Sequence, residues 1–542
     1  MSFLELVRRE MHGSLPKLLI MSALGGISTA AILAAINAGL QGKQNLWASA
    51  LFLVSLFLFI KTQYYVTITT TAEIEAIIHK IRLRLMDQIR HSELLSIDKV
   101  GRARIVAAIT GDTAVLTQAS NMMAFTVQGA VLIFFVAIYV AYLSPAAILT
   151  TAVVVSVAAF IFHVKNKALI EEKHKTAEWE RRLFDRLTDF LDGFKEVRLN
   201  SARSNALFDD AVNVSRTAAN TKIKTQAETF KMIVTSQFSM YILLGAVVFV
   251  APQFSSLGGP ELTKTTTALM FIVGACFGLV QSIPVLLNAN TAADRIDQLE
   301  KALKATVSTA EPSGLPEPNT FETIEVRNLR FRYVDELADV AFSIGPIDFD
   351  LKRGELVFIT GGNGSGKSTF LRVLSGLYPP DSGEVRLDGE LVTNLTRDRY
   401  RALMSAIFFD YHLFHKLYGI PEPAPGELDR LLGQFRLAEK TGLLNGEFRT
   451  LDLSGGQRRR LALIVSLLEK RPILLLDEWT AEQDPEFRRK FYDEMLPDLM
   501  KAGATVVVIT HDDRYLDELN LPARRIRMDE GRIVEQRSTL RG

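Results

Sequence analysis

Five stretches of this chain are almost free of charge, and their length constrains the fold more than any other feature. They run Leu18–Gly42, Gln44–Ala72 (broken only by Lys61), Thr113–Phe162, Met232–Pro260 and Thr265–Ala293. An α-helix rises ~1.5 Å per residue, so ~20 apolar residues cross a ~30 Å hydrocarbon core. The third stretch is long enough for two crossings, with Ser144-Pro145 as the turn. The reading is six spans, at about 18–42, 46–70, 119–143, 145–164, 232–256 and 265–290, in a polytopic α-helical membrane domain of residues 1–293. Buried helices of soluble proteins are shorter, about 11–12 residues on average, and carry a polar stripe, which these stretches lack. The net charge of +1 gives no whole-chain reason to expect nucleic-acid binding, and none is expected as a partner. A single cysteine, Cys276, excludes an intramolecular disulfide and a cysteine-rich metal site.

Charge placement sets the orientation. Arg8, Arg9 and Lys17 precede a run too long for the apolar region of a cleaved signal. The segments joining spans 2 to 3 (Glu73–Asp112) and 4 to 5 (Lys165–Lys231) are long and rich in Lys and Arg, whereas the turns near Lys43, Ser144 and Gly258 are short. Positive-inside bias then puts both termini, the two long segments and everything after the last span in the cytoplasm of a bacterial inner membrane protein. Both long segments read as helices: Ile77, Ile78, Ile81, Leu85 and Ile89 recur at helical spacing, as do Leu183, Leu187, Phe190, Leu191 and Phe194. Something in the cytoplasm must cover those apolar stripes.

Residues 294–320 read as a linker, helical to Lys304 and then broken by Pro312, Gly314, Pro316 and Pro318. From Phe321 to the end, short β-rich runs alternate with helical ones. Glu355–Thr360, Ile473–Asp477 and Thr505–Thr510 have the length and apolarity of strands buried on both faces. The expectation for 321–542 is an α/β domain around a mostly parallel sheet.

Gly361-Gly362-Asn363-Gly364-Ser365-Gly366-Lys367-Ser368 fits the phosphate-loop pattern between a predicted strand and a helix beginning near Thr369. Its glycines let several backbone N–H groups converge on one anion, and a helix N-terminus adds positive potential. Lys367 is placed to reach the β- and γ-phosphates of ATP, and Ser368 to ligate Mg²⁺. Ile473–Asp477 ends in two carboxylates. Asp477 suits Mg²⁺ and Glu478 suits polarising the attacking water. His511, after the next strand, brings an imidazole to the same sheet edge, where it can meet the γ-phosphate or that water. These residues compose an ATP hydrolase.

Leu453-Ser454-Gly455-Gly456-Gln457 carries a family resemblance: the chain resembles an ATP-binding cassette (ABC) transporter along essentially its whole length. Six spans fused before one cassette are similar to an exporter half-transporter. The resemblance implies a homodimer in which two ATP molecules are sandwiched, each held by one phosphate loop and by the partner copy's segment 453–457. It also implies that Tyr333 stacks on adenine and that Asp484 lies in the loop coupling the two sites. A narrower resemblance rests on Asp477-Glu478-Trp479-Thr480-Ala481-Glu482-Gln483-Asp484-Pro485-Glu486-Phe487-Arg488 and on Phe184–Asn200. Both are similar to the cyclic-peptide and siderophore-peptide exporters, the group of the pyoverdine and syringomycin exporters. With no cysteine-protease domain before the first span, no leader-peptide processing is expected.

Two departures from the exporter pattern stand out. Phe409 occupies the place of a Gln that senses Mg²⁺, although Asp410 beside it can coordinate the ion. The segment Asn445–Thr450 is also shorter than its exporter counterpart. In the membrane half, Lys61 is the one charge within a predicted span; it either lines the inward cavity and attracts an acidic cargo or snorkels from a solvated helix end. Gln128, Gln237, Gln281, Met122 and Met123 are further cavity candidates. The functional expectation is ATP-driven export of a cyclic or modified peptide, a siderophore precursor included, by alternating access. The alternatives are a lipid or drug exporter, or an ATP-gated channel or sensor. Because Lys367, Asp477, Glu478 and His511 are all present, turnover is favoured over sensing.

Overall fold

The structure, a computed structural model, describes residues 3–10, 15–39, 46–143, 145–254, 259–304, 320–335 and 340–538. It divides into two compact units: Met1–Asp87 with Arg102–Lys301, and Gln88–Gly101 with Ala302–Gly542.

The described residues of the first unit are almost entirely helical. Among the described residues, five helical stretches are long and apolar enough to cross a membrane: Pro16–Gly39, Leu46–His91, Arg102–Tyr142, Ser201–Val250 and Leu262–Lys304. The sixth expected span, 145–164, falls within the helix Pro145–Asp192. The side chains of 157–171 there, and residue 144 of the expected turn, lie outside the described residues. Four helices run to more than twice the ~20 residues a bilayer needs, with 46, 48, 45 and 46 residues in Leu46–His91, Pro145–Asp192, Ser201–Gly245 and Gly259–Lys304. The stripe on the first is covered as its periodicity requires: Ile74, Ile77, Ile78, Ile81 and Leu85 are all buried. The stripe ending the second is not. Of its residues, Leu187, Leu191 and Phe194 are exposed, Leu191 by 76%, while Leu183 and Phe190 are half-buried; Phe184 and Leu199 beside the stripe are exposed as well. The helices Pro145–Asp192 and Ser201–Gly245 join through polar contacts farther back, where Thr176 and Thr225 share a hydroxyl hydrogen bond of 2.8 Å and Lys222 pairs with Glu180 at 2.6 Å.

The second unit is built on a six-stranded sheet. Its order is Arg532–Ser538, Arg524–Asp529, Leu356–Thr360, Thr505–Ile509, Ile473–Asp477 and Met404–Ile407. All neighbours are parallel except the first pair, Arg524–Asp529 with Arg532–Ser538. Side chains on a strand alternate faces, and here both faces are covered. Leu356, Phe358, Leu474, Leu476, Val506 and Val508 enter one core, and Val357, Ile359, Ile473, Leu475, Val507 and Ile509 enter the other. That double burial explains why these segments read as unbroken apolar runs. A separate antiparallel sheet, containing Thr323–Asp335, Val340–Lys352, Ser382–Leu387 and Glu390–Leu391, was not legible from the pattern.

The helix Leu94–Val100 comes from the segment between two membrane helices, yet it belongs to this unit. Leu94 and Leu95 pack on its core, and Tyr378 donates to Asp98 at 3.1 Å. Glu93 accepts from Arg397 at 2.9 Å and from Arg401 at 2.8 Å. Of the expected linker, the part to Lys304 is helix, and 305–319 lie outside the described residues.

Candidate active site

Parallel register brings the catalytic candidates together. Ile509 lies beside Ile359 on one side and beside Asp477 on the other. The chain therefore leaves all three strands at one carboxyl edge, into Gly361, Glu478 and Thr510-His511, and ligand crevices of such sheets form at that edge. A cleft of about 590 Å³ opens there, lined by residues 363–369 together with Phe342, Arg372, Phe409, Asp410, Asp477 and Glu478.

The phosphate loop has this shape because of its glycines. Gly361 has φ +147°, and a Cβ there would stand 2.2 Å from the Met528 carbonyl oxygen. Gly366, at φ +97°, precedes the helix Lys367–Leu374, and its Cβ would meet Ile344 at 2.8 Å. Any side chain at either position would strain the backbone and collide. Lys367 folds over the loop, its Nζ donating to the carbonyls of Gly361 (3.0 Å) and Gly362 (2.9 Å). Burial pushes its ammonium below the ordinary lysine range, against the pull of Glu478 and Asp477.

Asp477 is 1% exposed. Burial raises its carboxyl above the usual range, against a hydrogen bond from Ser368 Oγ to its Oδ1 at 3.1 Å. Its other oxygen, Oδ2, is buried with no hydrogen-bond partner among the described residues. A buried carboxylate oxygen without a donor, beside a serine hydroxyl, fits a hard cation that takes oxygen ligands. Asp410 also reaches the cleft, but its Oδ1 is engaged by Arg372 at 3.1 Å.

The Glu478 carboxylate accepts from His511 Nε2 at 3.1 Å in the imidazole tautomer that carries its proton there. Its backbone is left-handed, φ +50° and ψ 35°, a conformation that costs a non-glycine residue about 1–2 kcal/mol. Arg459 supports it. This guanidinium is 2% exposed, donates to the Glu478 carbonyl, and lies 3.4 Å from Glu482 Oε2 as an ion pair. It also sits 5.2 Å from the centroid of Phe409, the residue that replaces the expected Gln. Arg459 escaped the sequence analysis because Arg458-Arg459-Arg460 looks like a solvated charge run. Trp479 is fully buried against Phe487 and Phe491, and donates from Nε1 to the Arg459 carbonyl at 2.9 Å.

The segment Leu453–Gln457 opens the helix Gly455–Leu468. Ser454 caps it, accepting from the Gln457 N–H, while the Gln457 side chain accepts from the Ser454 N–H. This reciprocal capping box gives the serine and glutamine a local role. Gly455 and Gly456 admit the 482–483 turn: Cβ atoms there would lie 2.5 Å from Glu482 Oε2 and 2.7 Å from the Glu482 carbonyl. Arg460 bridges to the Gln483 side chain at 2.8 Å and to Asp484 at 2.5 Å. Asp484 caps the helix Pro485–Lys490, and the Phe487 N–H with Arg460 holds its carboxyl below the usual range. Tyr333 is partly exposed on the strand Thr323–Asp335, paired in register with Phe342, whose ring lines the cleft.

In the membrane unit, the lining of a cavity of about 640 Å³ includes Gln128, Gln281 and Met122 and does not include Gln237 or Met123. Nor is Lys61 in that lining. Lys61 sits one residue before Thr62, which does line it, so its side chain leaves the helix on another face and stands exposed, Nζ 5.7 Å from the Phe57 ring.

Comparison with known proteins agrees with this geometry. The family described as "ABC transporter" matches residues 344–481. The "ATP-binding protein SyrD" of Pseudomonas syringae pv. syringae is 34% identical over 478 residues, 84% of this chain and 82% of that protein. The "Mycobactin import ATP-binding/permease protein IrtB" of Mycolicibacterium thermoresistibile is 30% identical over 294 residues, 52% of this chain and 48% of that one. A solved bacterial Atm1-family ABC exporter with ATP bound shares the fold, with TM-score 0.78 and 18% identity across 98% of this chain and 96% of that one. The chain therefore belongs to the ABC transporter family, with the fold of an ABC exporter and a cassette that hydrolyses ATP with Mg²⁺ to drive transport across a membrane.

Proposed function

We propose that this protein exports a cyclic or otherwise modified peptide, such as a siderophore precursor, across the bacterial cytoplasmic membrane as a homodimer. The peptide reading rests on the resemblance of 477–488 and 184–200 to peptide exporters. The fully buried Trp479, where most cassettes carry a small residue or Pro, is the structural observation that supports it. Exposed Phe184, Leu187, Leu191, Phe194 and Leu199 support a second copy, since water disfavours so large an uncovered apolar patch.

In this reading Tyr333 stacks on adenine, and the N–H groups of Gly361–Thr369 with Lys367 cradle the phosphates. Ser368 and Asp477 would hold Mg²⁺, which would supply neutralisation of the triphosphate's charge. Glu478, hydrogen-bonded to His511, polarises the attacking water. The partner's Ser454, Gly455 and Gly456 close over the γ-phosphate with a capped helix N-terminus, and Asp484 lies at the seam between the copies. Two sandwiched ATP molecules draw the cassettes together and turn the membrane domain outward, and hydrolysis resets it. The test is Glu478→Gln in the full-length protein in lipid. ATP binding should persist and steady-state hydrolysis should vanish, with a trapped dimer; near-normal turnover sinks the assignment. Stimulation of the wild type by lipids alone, and by no peptide, would replace the peptide reading with a flippase.

A further inference from the structure

The cavity in the membrane unit lies between four helices, Leu15–Gly39, Leu46–His91, Thr113–Leu143 and Gly259–Lys304. Its volume, about 640 Å³, is that of a site for a drug-sized ligand. None of its lining residues is charged. The polar groups in the lining divide into two sets. The Thr29 and Thr62 hydroxyls are satisfied within their own helices, by the carbonyls of Gly25 and Leu58. Gln63 and Gln128 are half-buried and Gln281 is exposed, and none of the three makes a side-chain hydrogen bond to a described residue; Ser22, 2% exposed, has an Oγ that is buried without a partner. The buried Ser22 hydroxyl is costly in an apolar surrounding unless a ligand or water completes it, and the glutamine amides are free to bond whatever enters the cavity.

The open side of the cavity is kept by missing side chains. A Cβ on Gly274 or Gly278 would meet nothing within 4 Å, so any larger residue there would project into free space. Each glutamine presents a carbonyl acceptor and an NH₂ donor in one plane, the same pair that a peptide unit offers in reverse. A carboxylate entering this cavity would lose its hydration and find no cation, since Lys61 stands outside the lining.

We infer that this cavity is a binding site for an electrically neutral, amide-bearing and largely apolar group, read by Gln63, Gln128, Gln281 and Ser22. The inference rests on the peptide-export reading and narrows it: recognition runs through backbone-like amides, with no electrostatic attraction of an acidic cargo.

The experiment measures binding to the full-length protein in nanodiscs by equilibrium dialysis. The probes are a cyclic hexapeptide of Leu, Val and Asn and the isosteric ring with Asp in place of Asn. The neutral ring should bind at least about tenfold more tightly than the acidic one. Gln128→Leu with Gln281→Leu should weaken the neutral ring by about tenfold, and Gly278→Leu, which fills the cavity, should abolish its binding. Lys61→Met should change neither ring. Equal affinity for the two rings, unchanged affinity in the double glutamine variant, or no binding of either ring at millimolar concentration would overturn the inference. ATPase rates separate it from the export reading. Binding that depends on the glutamines but never changes turnover keeps the site and removes peptide export; stimulation untouched by the glutamine variants does the reverse.

Discussion

Arg459→Met tests how the catalytic glutamate is held. The guanidinium is a buried donor to the Glu478 carbonyl, and Glu478 sits in a left-handed conformation that a glutamate does not prefer. A hydrogen bond from a charged donor is worth about 1.5–3 kcal/mol. The ion pair with Glu482 adds little, because that carboxylate is 46% exposed and screened. Losing the donor leaves the left-handed strain unopposed, and Glu478 relaxes away from His511. A positioning loss of about 2 kcal/mol in the transition state corresponds to about a 30-fold fall in kcat. KM for ATP should move by less than about twofold, since Arg459 is absent from the cleft lining and interactions made only in the transition state leave KM unchanged. Arg459→Lys, which keeps the charge but not the fork of donors, should fall between the two. The assay is steady-state ATP hydrolysis in nanodiscs, with thermal unfolding of each variant alongside. A kcat within about threefold of wild type, or a fall matched by a rise in KM or by a lower unfolding temperature, would refute this reasoning.

Three further outcomes are expected beside the Glu478→Gln test. Trp479→Ala removes a fully buried ring packed on Phe487 and Phe491, at a cost of about 3–5 kcal/mol, and should lower the cassette's unfolding transition by about 10 °C in calorimetry; an unmoved transition contradicts the packing argument. Glu93→Gln removes the charge facing Arg397 and Arg401 and should reduce hydrogen-exchange protection of Leu94–Val100 by about tenfold or more. Unchanged protection there would show that the apolar contacts of Leu94 and Leu95 suffice. Ser454→Asp preserves the helix cap but sets a carboxylate where the proposed partner's triphosphate lies. Turnover should fall more than about tenfold with unfolding unchanged, and wild-type turnover would remove that contact from the dimer reading.

Much of the site was legible in advance because its signals are local. A phosphate loop needs glycine at fixed places whatever surrounds it, and Gly361 and Gly366 show why, with positive φ and no room for a Cβ. Unbroken apolar runs at Ile473–Asp477 and Thr505–Ile509 announced strands covered on both faces. The length of the uncharged stretches announced a membrane domain, since a bilayer sets a length that soluble helices rarely reach.

What the sequence by itself determined, then, were features whose cause lies within a few residues or in the solvent. Partnership across the chain was decided only by the tertiary structure. Arg459 became a support for Glu478 because the helix Gly455–Leu468 packs beside the strand end at Asp477, and no spacing rule encodes that approach. Glu93 and Asp98 lie in the segment between two membrane helices, yet hydrogen bonds from Arg397 and Arg401 to Glu93 and from Tyr378 to Asp98 tie them to the cassette unit. The sequence left Lys61 two readings, lining a cavity or snorkelling from a helix end; the helix Leu46–His91 turns Thr62 and Gln63 toward the cavity and leaves Lys61 outside its lining. Periodicity tells which residues of a helix share a face, but the face that meets a cavity is chosen by the neighbours, and those are set by the packing of the whole unit.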